Sequence, residues 1–339
     1  MRVLVVDDDP AFRRALSTTL AALPGVEVSG TVASNAEAKA FLSELEVDVI
    51  TLDVVLREEY GLDLIPWLQK TCPRAIVILV TSGSRHEART AVDALFLGAS
   101  SLILKPSGPD APLTLRRALE AELAVAAKRL ATPVPTGAGR FILAERREVI
   151  AVGASTGGPP VVLELLKALP THFRTPLVLT QHMPAFHVPF FVDLLARQSG
   201  RDVRVAADGE VILDGVVYVA PGDRHMTLRR PRGTLSIALD DGPMEHGCRP
   251  AVDPMFRSVA ATCGRAAVGV VLTGMGVDGA AGASAMRGHG APIVVQDRVT
   301  SVVWGMPGAV VAAGAADTVV PGPEVARHII RWTASEATR

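Results

Sequence analysis

The chain has 339 residues, 49% of them hydrophobic and 20% charged, with a formal net charge of −1. At roughly 150 residues per domain this length predicts about two domains, and the apolar share excludes intrinsic disorder. A near-neutral chain carries no overall field for nucleic acid or anionic lipid, so neither is an expected partner. Three scattered cysteines, Cys72, Cys248 and Cys263, exclude a disulfide framework or a structural zinc site and fit a reducing compartment. The start runs directly into Val3-Leu4-Val5-Val6 and three aspartates, unlike a secretory signal. Val299 to Ala316 is uncharged but broken by Gly305, Pro307, Gly308 and Gly314, unlike a membrane helix. The expectation is a cytoplasmic chain with no membrane insertion.

Short β-branched runs alternate with helical patterns from the first residues. Val3 to Val6 is followed by Phe12, Ala15, Leu16, Leu20 and Leu23 at helical spacing, and then by apolar runs at Val47–Leu52, Ile76–Val80 and Leu102–Leu104. A helical segment from Leu113 to about Leu130 closes this unit. Ala131 to Arg140, with two prolines and two glycines and little to bury, reads as a linker. Alternation then resumes at Val149–Val152, a helix from Pro160 to Leu169, Leu177–Thr180, a helix near Val188–Arg197, a hairpin-like region around Val216–Ile237, Val268–Leu272 and Ile293–Val295. The pattern predicts an α/β protein of two doubly wound parallel-sheet domains, residues 1–125 and 146–335, joined by a linker at 126–145, with a small antiparallel segment in the second.

Asp7 and Asp8 follow the first strand, Asp53 ends the third, and Thr81 and Lys105 stand at the ends of two more. In an open parallel sheet these carboxyl ends face one crevice. Three converging carboxylates call for a cation, and hard oxygen donors suit Mg2+. Asp53 then reads as a nucleophile toward a phosphoryl donor, with Lys105 neutralising charge and Thr81 hydrogen-bonding the product. Any one of these aspartates alone reads first as a helix cap or a solvated group. Asp7-Asp8, Asp53, Thr81 and Lys105-Pro106 together resemble the receiver domain of two-component response regulators. The resemblance implies a flavodoxin-like fold, phosphorylation at Asp53, and Mg2+ held by Asp7, Asp8, Asp53 and Val55. The chain departs from that pattern at Arg57, where receivers often have proline, at Glu58 and Glu59, which add negative charge, and at Leu102, where an aromatic residue is common.

In the second unit Gly153-Ala154-Ser155-Thr156-Gly157-Gly158 joins a strand to a helix and exposes a serine on a tight turn beside the N–H groups of the helix start. As an isolated string it reads equally as a glycine-rich turn with Ser155 as an N-cap. His182 ends the next strand and Asp278 follows a later one, so three strand ends bring together a nucleophile, a base and the acid that orients the base. His187, His225, His246 and His289 are read as core or surface residues. Gly274-Met275-Gly276-Val277-Asp278-Gly279 also fits a dinucleotide-binding turn, with Asp297 about twenty residues on. An anionic Asp278 inside that turn would repel a pyrophosphate, and this reading leaves Ser155 and His182 without a role.

These segments, with Gln181-His182-Met183-Pro184, Arg249-Pro250-Ala251-Val252-Asp253, Leu272-Thr273-Gly274-Met275-Gly276 and Val303-Trp304-Gly305-Met306-Pro307 behind a receiver, resemble the bacterial chemotaxis protein-glutamate methylesterases. That resemblance implies a Rossmann-like catalytic domain with Ser155, His182 and Asp278 as its triad. It also implies hydrolysis of glutamate γ-methyl esters on methyl-accepting chemotaxis receptors, deamidation of receptor glutamines, and no metal for either reaction. Thr156 and Met275 are the candidate oxyanion donors. The same resemblance implies phosphorylation by the chemotaxis histidine kinase and an unphosphorylated receiver that covers the esterase cleft. The competing reading is a catalytically silent module that acts only through phosphorylation-controlled binding. The tail, Arg331 to Arg339, is expected to be frayed and uninvolved.

Overall fold

The computed structural model describes residues 1–57, 59–82, 84–131 and 147–333. The chain divides into two compact units, 1–132 and 133–339. Glu58, most of the expected linker and the tail residues 334–339 lie outside the described residues.

The first unit runs β1 (Arg2–Val6), α1 (Pro10–Ala21), β2 (Glu27–Val32), α2 (Asn35–Glu44), β3 (Val49–Asp53), a hairpin of β4 (Val55–Leu56) and β5 (Glu59–Tyr60), α3 (Ile65–Thr71), β6 (Ile76–Thr81), α4 (Arg85–Phe96), β7 (Ser101–Leu104) and α5 (Ala111–Ala131). Its sheet has the order β2-β1-β3-β6-β7, and every adjacent pair is parallel. Strand order reverses between β1 and β3, and such a switch point leaves a crevice at the carboxyl ends. All residues of β3 and β6 are buried, as two-sided cover by helices requires. Leu4, Ile50, Leu52 and Leu79 pack on one face and Val3, Val5, Val49 and Ile78 on the other.

The second unit runs β8 (Val149–Ala154), α6 (Gly158–Ala168), β9 (Leu177–Gln181), α7 (Val188–Ser199), β10 (Val203–Val205), β11 (Val217–Val219), β12 (His225–Arg229), β13 (Ser236–Asp240), α8 (Val252–Cys263), β14 (Ala267–Val271), α9 (Ala280–Gly288), β15 (Ile293–Gln296), α10 (Met306–Ala312), β16 (Thr318–Val320) and α11 (Val325–Thr333). The seven-stranded parallel sheet has the order β10-β11-β9-β8-β14-β15-β16. The chain leaves β8 toward one edge and returns at β14 toward the other, so the β8/β14 boundary is the switch point.

Several expectations need correction. The region Val216–Ile237 is not one hairpin: Val217–Val219 is a parallel strand of the main sheet, and the antiparallel pair is β12 with β13. Helix α5 passes residue 125 and continues to Ala131, because Ala126 is buried in the first unit's core and holds that stretch to the domain. Strand β2 escapes the apolar-run criterion because it is a half-polar edge strand, Glu27-Val28-Ser29-Gly30-Thr31-Val32. The tail expectation fails for its first three residues: Arg331 to Thr333 are helical, Trp332 is buried, and the Trp332 carbonyl accepts from Arg147 Nε at 3.2 Å.

The hairpin after β3 accounts for two departures from the receiver pattern. Arg57 has φ +54°, a conformation closed to proline, whose ring fixes φ near −65°. Glu59 does not add to the acidic pocket; its Oε1 accepts the N–H of Asn35 at 2.7 Å, at the start of α2. Gly61 follows the hairpin, and a Cβ there would lie 1.9 Å from the Asp53 carbonyl oxygen. Gly61→Ala therefore displaces the backbone of Asp53 and is expected to destabilise the first unit by about 1–3 kcal/mol, read as an earlier urea unfolding transition of the full chain. An unchanged transition would remove this constraint.

Candidate active site

Two clusters of chemically active side chains lie at the two switch points. In the first unit Asp7, Asp8 and Asp53 bring carboxylate oxygens within 4.8 Å of one another. Lys105 Nζ reaches Asp53 at 2.6 Å and Asp7 at 2.9 Å, and it lies 4.6 Å from the centre of the Phe12 ring. Burial pushes the Asp53 carboxyl up to about 6, Lys105 opposes that rise, and the Asp7 charge adds to it. One ammonium faces three carboxylates, which is the imbalance a hard divalent cation would relieve. The Val55 N–H stands 3.5 Å from Asp53 Oδ1. Thr81 is less ready than expected: its hydroxyl donates to Glu87 Oε2 at 2.7 Å, in a carboxylate that also binds Ser82. To serve a phosphoryl oxygen it must leave Glu87.

In the second unit β8 and β9 are paired so that Ala154 faces Gln181. Ser155 and His182 each come one residue later on neighbouring strands, whose backbones run about 5 Å apart. The His182 N–H donates to the Ala154 carbonyl at 3.0 Å. His182 Nε2 meets Asp278 Oδ2 at 2.8 Å. Asp278 is 1% exposed, yet its carboxylate is fully engaged: Oδ2 also accepts the Val252 N–H at 2.6 Å, and Oδ1 accepts those of Asp253 and Gly279, each at 2.9 Å. Val252 and Asp253 open α8, so the partial positive charge of a helix start faces this carboxylate. Burial pushes the Asp278 carboxyl up, but His182 and the two helix-start N–H groups outweigh it and hold the group below its usual range. Burial alone would lower His182; the hydrogen bonds to Asp278 and Cys248 raise it to about 9.

With Nε2 committed to Asp278, the other ring nitrogen, Nδ1, lies 3.6 Å from Cys248 Sγ. Ser155 is half-buried, and its backbone is held from three sides. Its N–H donates to the Thr273 carbonyl at 3.0 Å, and its carbonyl accepts from Gly158 N at 2.8 Å and from Gln181 Nε2 at 2.9 Å. Gly157, not Ser155, is the N-cap of α6, with φ +74°. Gly274 passes so close that a Cβ there would lie 2.8 Å from Ser155 Cβ. Among the described residues neither the Thr156 nor the Met275 N–H donates a hydrogen bond, so both expected oxyanion donors remain available. Residues 276–279 do not form a phosphate cradle: the Gly279 N–H is taken by Asp278 itself.

The other histidines have separate surroundings. His187 is fully buried and held near 4 by that burial, His225 bonds Pro243 and Ala251, His246 bonds Asp253, and His289 bonds the Ala285 carbonyl. Three residues around the site went unassigned in the sequence. Gln181 ties Ser155 to His182 by donating to both carbonyls, at 2.9 and 3.1 Å. The Thr273 hydroxyl donates to the Thr156 carbonyl at 2.9 Å and accepts the Val303 N–H at 2.9 Å. Cys248 Sγ stands 3.6 Å from His182 Nδ1. Gln181 and Thr273 lie inside motifs already singled out, whereas Cys248 sits one residue before one and carries no sequence signal of its own.

The chain matches the response regulator receiver domain family over residues 3–116 and the CheB methylesterase family over residues 150–329. It is 39% identical to a protein-glutamate methylesterase/protein-glutamine glutaminase 1 of Xanthomonas campestris, with 98% of each chain covered. It is 36% identical to the corresponding protein of Trichodesmium erythraeum, covering 97% of this chain and 98% of that one. The crystal structure of the Thermotoga maritima CheB methylesterase catalytic domain superposes with a TM-score of 0.54 at 35% identity, covering 55% of this chain and 99% of that one.

The geometry predicts how His182 titrates. In an NMR titration of the full chain its imidazole should lose its proton near pH 9. In Asp278→Asn the transition should fall to the ordinary imidazole range or below, because burial then acts without the carboxylate. An unshifted transition would mean that Asp278 does not set the charge of His182.

Proposed function

This chain belongs to the CheB methylesterase family and carries that family's receiver domain, and from that premise we propose that it hydrolyses glutamate γ-methyl esters on the cytoplasmic part of methyl-accepting chemotaxis receptors. The observation that carries the reading is the buried Asp278–His182 pair at 2.8 Å beside a serine held on the neighbouring strand.

Ser155 Oγ attacks the ester carbonyl while its proton passes to His182 Nδ1, and the resulting imidazolium is stabilised by Asp278 through Nε2. The oxyanion is met by the N–H groups of Thr156 and Met275. The intermediate collapses, His182 returns the proton to the departing methoxide, and methanol leaves. A water deprotonated by the same Nδ1 then releases glutamate and restores Ser155. Receptor glutamine follows the same path with ammonia as the leaving group, which is poorer, so the ester is the faster substrate. Phe186 and Val277 are exposed apolar side chains near His182 and Asp278 in the sequence, suited to the surface of a receptor helix.

Asp53 takes a phosphoryl group from the chemotaxis histidine kinase. Asp7, Asp8 and Asp53 suit Mg2+, with Val55 completing the set, and the ion neutralises charge during that transfer when bound. Lys105 then pairs with the phosphoryl oxygens, and Thr81 leaves Glu87 to hydrogen-bond one of them. In the unphosphorylated state the receiver restrains the esterase, and the whole cycle takes place in the cytoplasm. Among the described residues no helix is long and apolar enough to cross a membrane.

Methanol release from a methylated receptor fragment tests the reading. Ser155→Ala should lower it by about four orders of magnitude or more. The pH profile of kcat/KM should climb through neutrality and level near pH 9, because only neutral His182 takes the Ser155 proton. No methanol from the unaltered chain, with or without a phosphoryl donor, would leave the silent binding module as the better account. Beryllofluoride with Mg2+ should raise turnover of the full chain and leave Asp53→Asn unstimulated; equal turnover in all cases would remove the switch and keep the chemistry.

A further inference from the structure

Cys248 is not a solitary thiol. Its backbone belongs to a tight turn in which the Glu245 carbonyl accepts the Cys248 N–H at 2.9 Å and the Glu245 N–H donates back at 3.1 Å. The two central residues, His246 and Gly247, both have positive φ, +53° and +76°, the signature of a type I′ turn. Arg257 of α8 grips both oxygens of Glu245, Oε2 at 3.0 Å and Oε1 at 2.5 Å, so the turn is pinned to the helix whose first N–H groups hold Asp278. The thiol therefore has a fixed place beside the imidazole, 3.6 Å from Nδ1 and partly open to solvent.

That separation has a chemical meaning. Tetrahedral zinc with a Zn–S distance of about 2.3 Å and a Zn–N distance of about 2.0 Å sets its sulfur and nitrogen ligands about 3.5 Å apart. Histidines that ligate metals usually donate their other ring N–H to a carboxylate, which fixes the tautomer and makes the ligating nitrogen more basic. Asp278 does this to His182, at 2.8 Å. We infer that Cys248 Sγ and His182 Nδ1 form a binding site for a thiophilic divalent cation of the zinc class, and that its occupation inhibits the esterase. The step is a ligand exchange without oxidation: the thiol and, below about pH 9, the His182 imidazolium each give up one proton to solvent, the thiolate and the freed imidazole lone pair bind the ion, and water or the Ser155 hydroxyl fills the remaining positions. The same lone pair is the one that removes the Ser155 proton, so metal and catalysis exclude each other. The inhibitory half of the inference rests on His182 being the base; the binding half does not.

The neighbouring group Glu245, His246 and Asp253 also brings three ligand atoms within 4.8 Å, but Arg257 already occupies Glu245 with a positive charge.

The experiment uses the full chain with excess Mg2+ to saturate the acidic pocket of the first unit. Co2+ as a spectroscopic substitute should give a thiolate-to-metal charge-transfer band at one equivalent, absent in Cys248→Ala and at least tenfold weaker in affinity in His182→Ala. Zn2+ should shield Cys248 from iodoacetamide, read by peptide mass spectrometry, with Cys72 and Cys263 as internal controls. Methanol release should fall with Zn2+ and recover with EDTA, and Cys248→Ala should need at least ten times more Zn2+ for the same fractional loss. A band that survives in Cys248→Ala, or a thiol that Zn2+ leaves unshielded, overturns the site. A Cys248-dependent band in a chain that releases no methanol supports the site and places the failure with the esterase reading.

Discussion

Everything at the second switch point depends on the burial of one charge. Asp278 is removed from water, a situation that would neutralise an isolated carboxylate. It stays ionised because four donors reach its two oxygens: the His182 ring, two N–H groups from the start of α8, and its own neighbour Gly279. Three of the four are backbone groups that cannot rotate away. The Asp278 carboxylate is thus held by backbone groups, and His182 turns Nε2 toward it. In serine proteases of the chymotrypsin type it is Nδ1 that faces the aspartate. The reversed ring is chemically equivalent, since both imidazole nitrogens exchange protons, and it follows here from a base carried at a strand end and an acid supplied from the far side of the nucleophile's strand.

Fixing the acid and base would achieve little if the serine could drift. Ser155 is anchored through backbone bonds to Thr273, Gly158 and Gln181. Gln181 donates to the carbonyls of both Ser155 and His182, so one side chain ties the two residues together. Gly274 lets a third strand's loop pass against Ser155 where any side chain would collide. The result is a site preorganised by backbone contacts, the condition under which N–H groups stabilise developing charge without rearranging at the moment of reaction.

How far the sequence reveals this depends on whether a residue acts through its type or through its contacts. Buried parallel strands such as Ile76–Thr81 are apolar on both faces and read directly as strands, and each one ends on a chemically distinctive residue, so the strand-end argument brings Asp7, Asp53 and Lys105 together without coordinates. Asp278 and His182 are legible for the same reason. The half-polar edge strand Glu27–Val32 has no such pattern, and Val217–Val219 looks like part of a hairpin because its membership of the main sheet depends on pairing with β9, a long-range contact. Gln181 and Thr273 act through backbone carbonyls, which have no residue-type signature. Cys248 becomes significant only when a turn from another part of the chain sets it against His182.

The two units apply one topological rule to opposite ends. Each places its reactive groups where strand order reverses, which exposes strand ends without weakening a core buried on both faces. In the first unit the crevice collects like charges, and burial already lifts Asp53 to about 6, so that pocket is poised to gain positive charge. In the second the buried Asp278 charge is fully satisfied by its donors, so the demand is met internally and the imidazole keeps the raised basicity. An unsatisfied anionic cluster responds to its surroundings, whereas a satisfied one sustains a fixed chemistry. That difference in electrostatic completion, rather than any difference in fold class, is what suits one α/β sheet to receive a signal and the other to carry out hydrolysis.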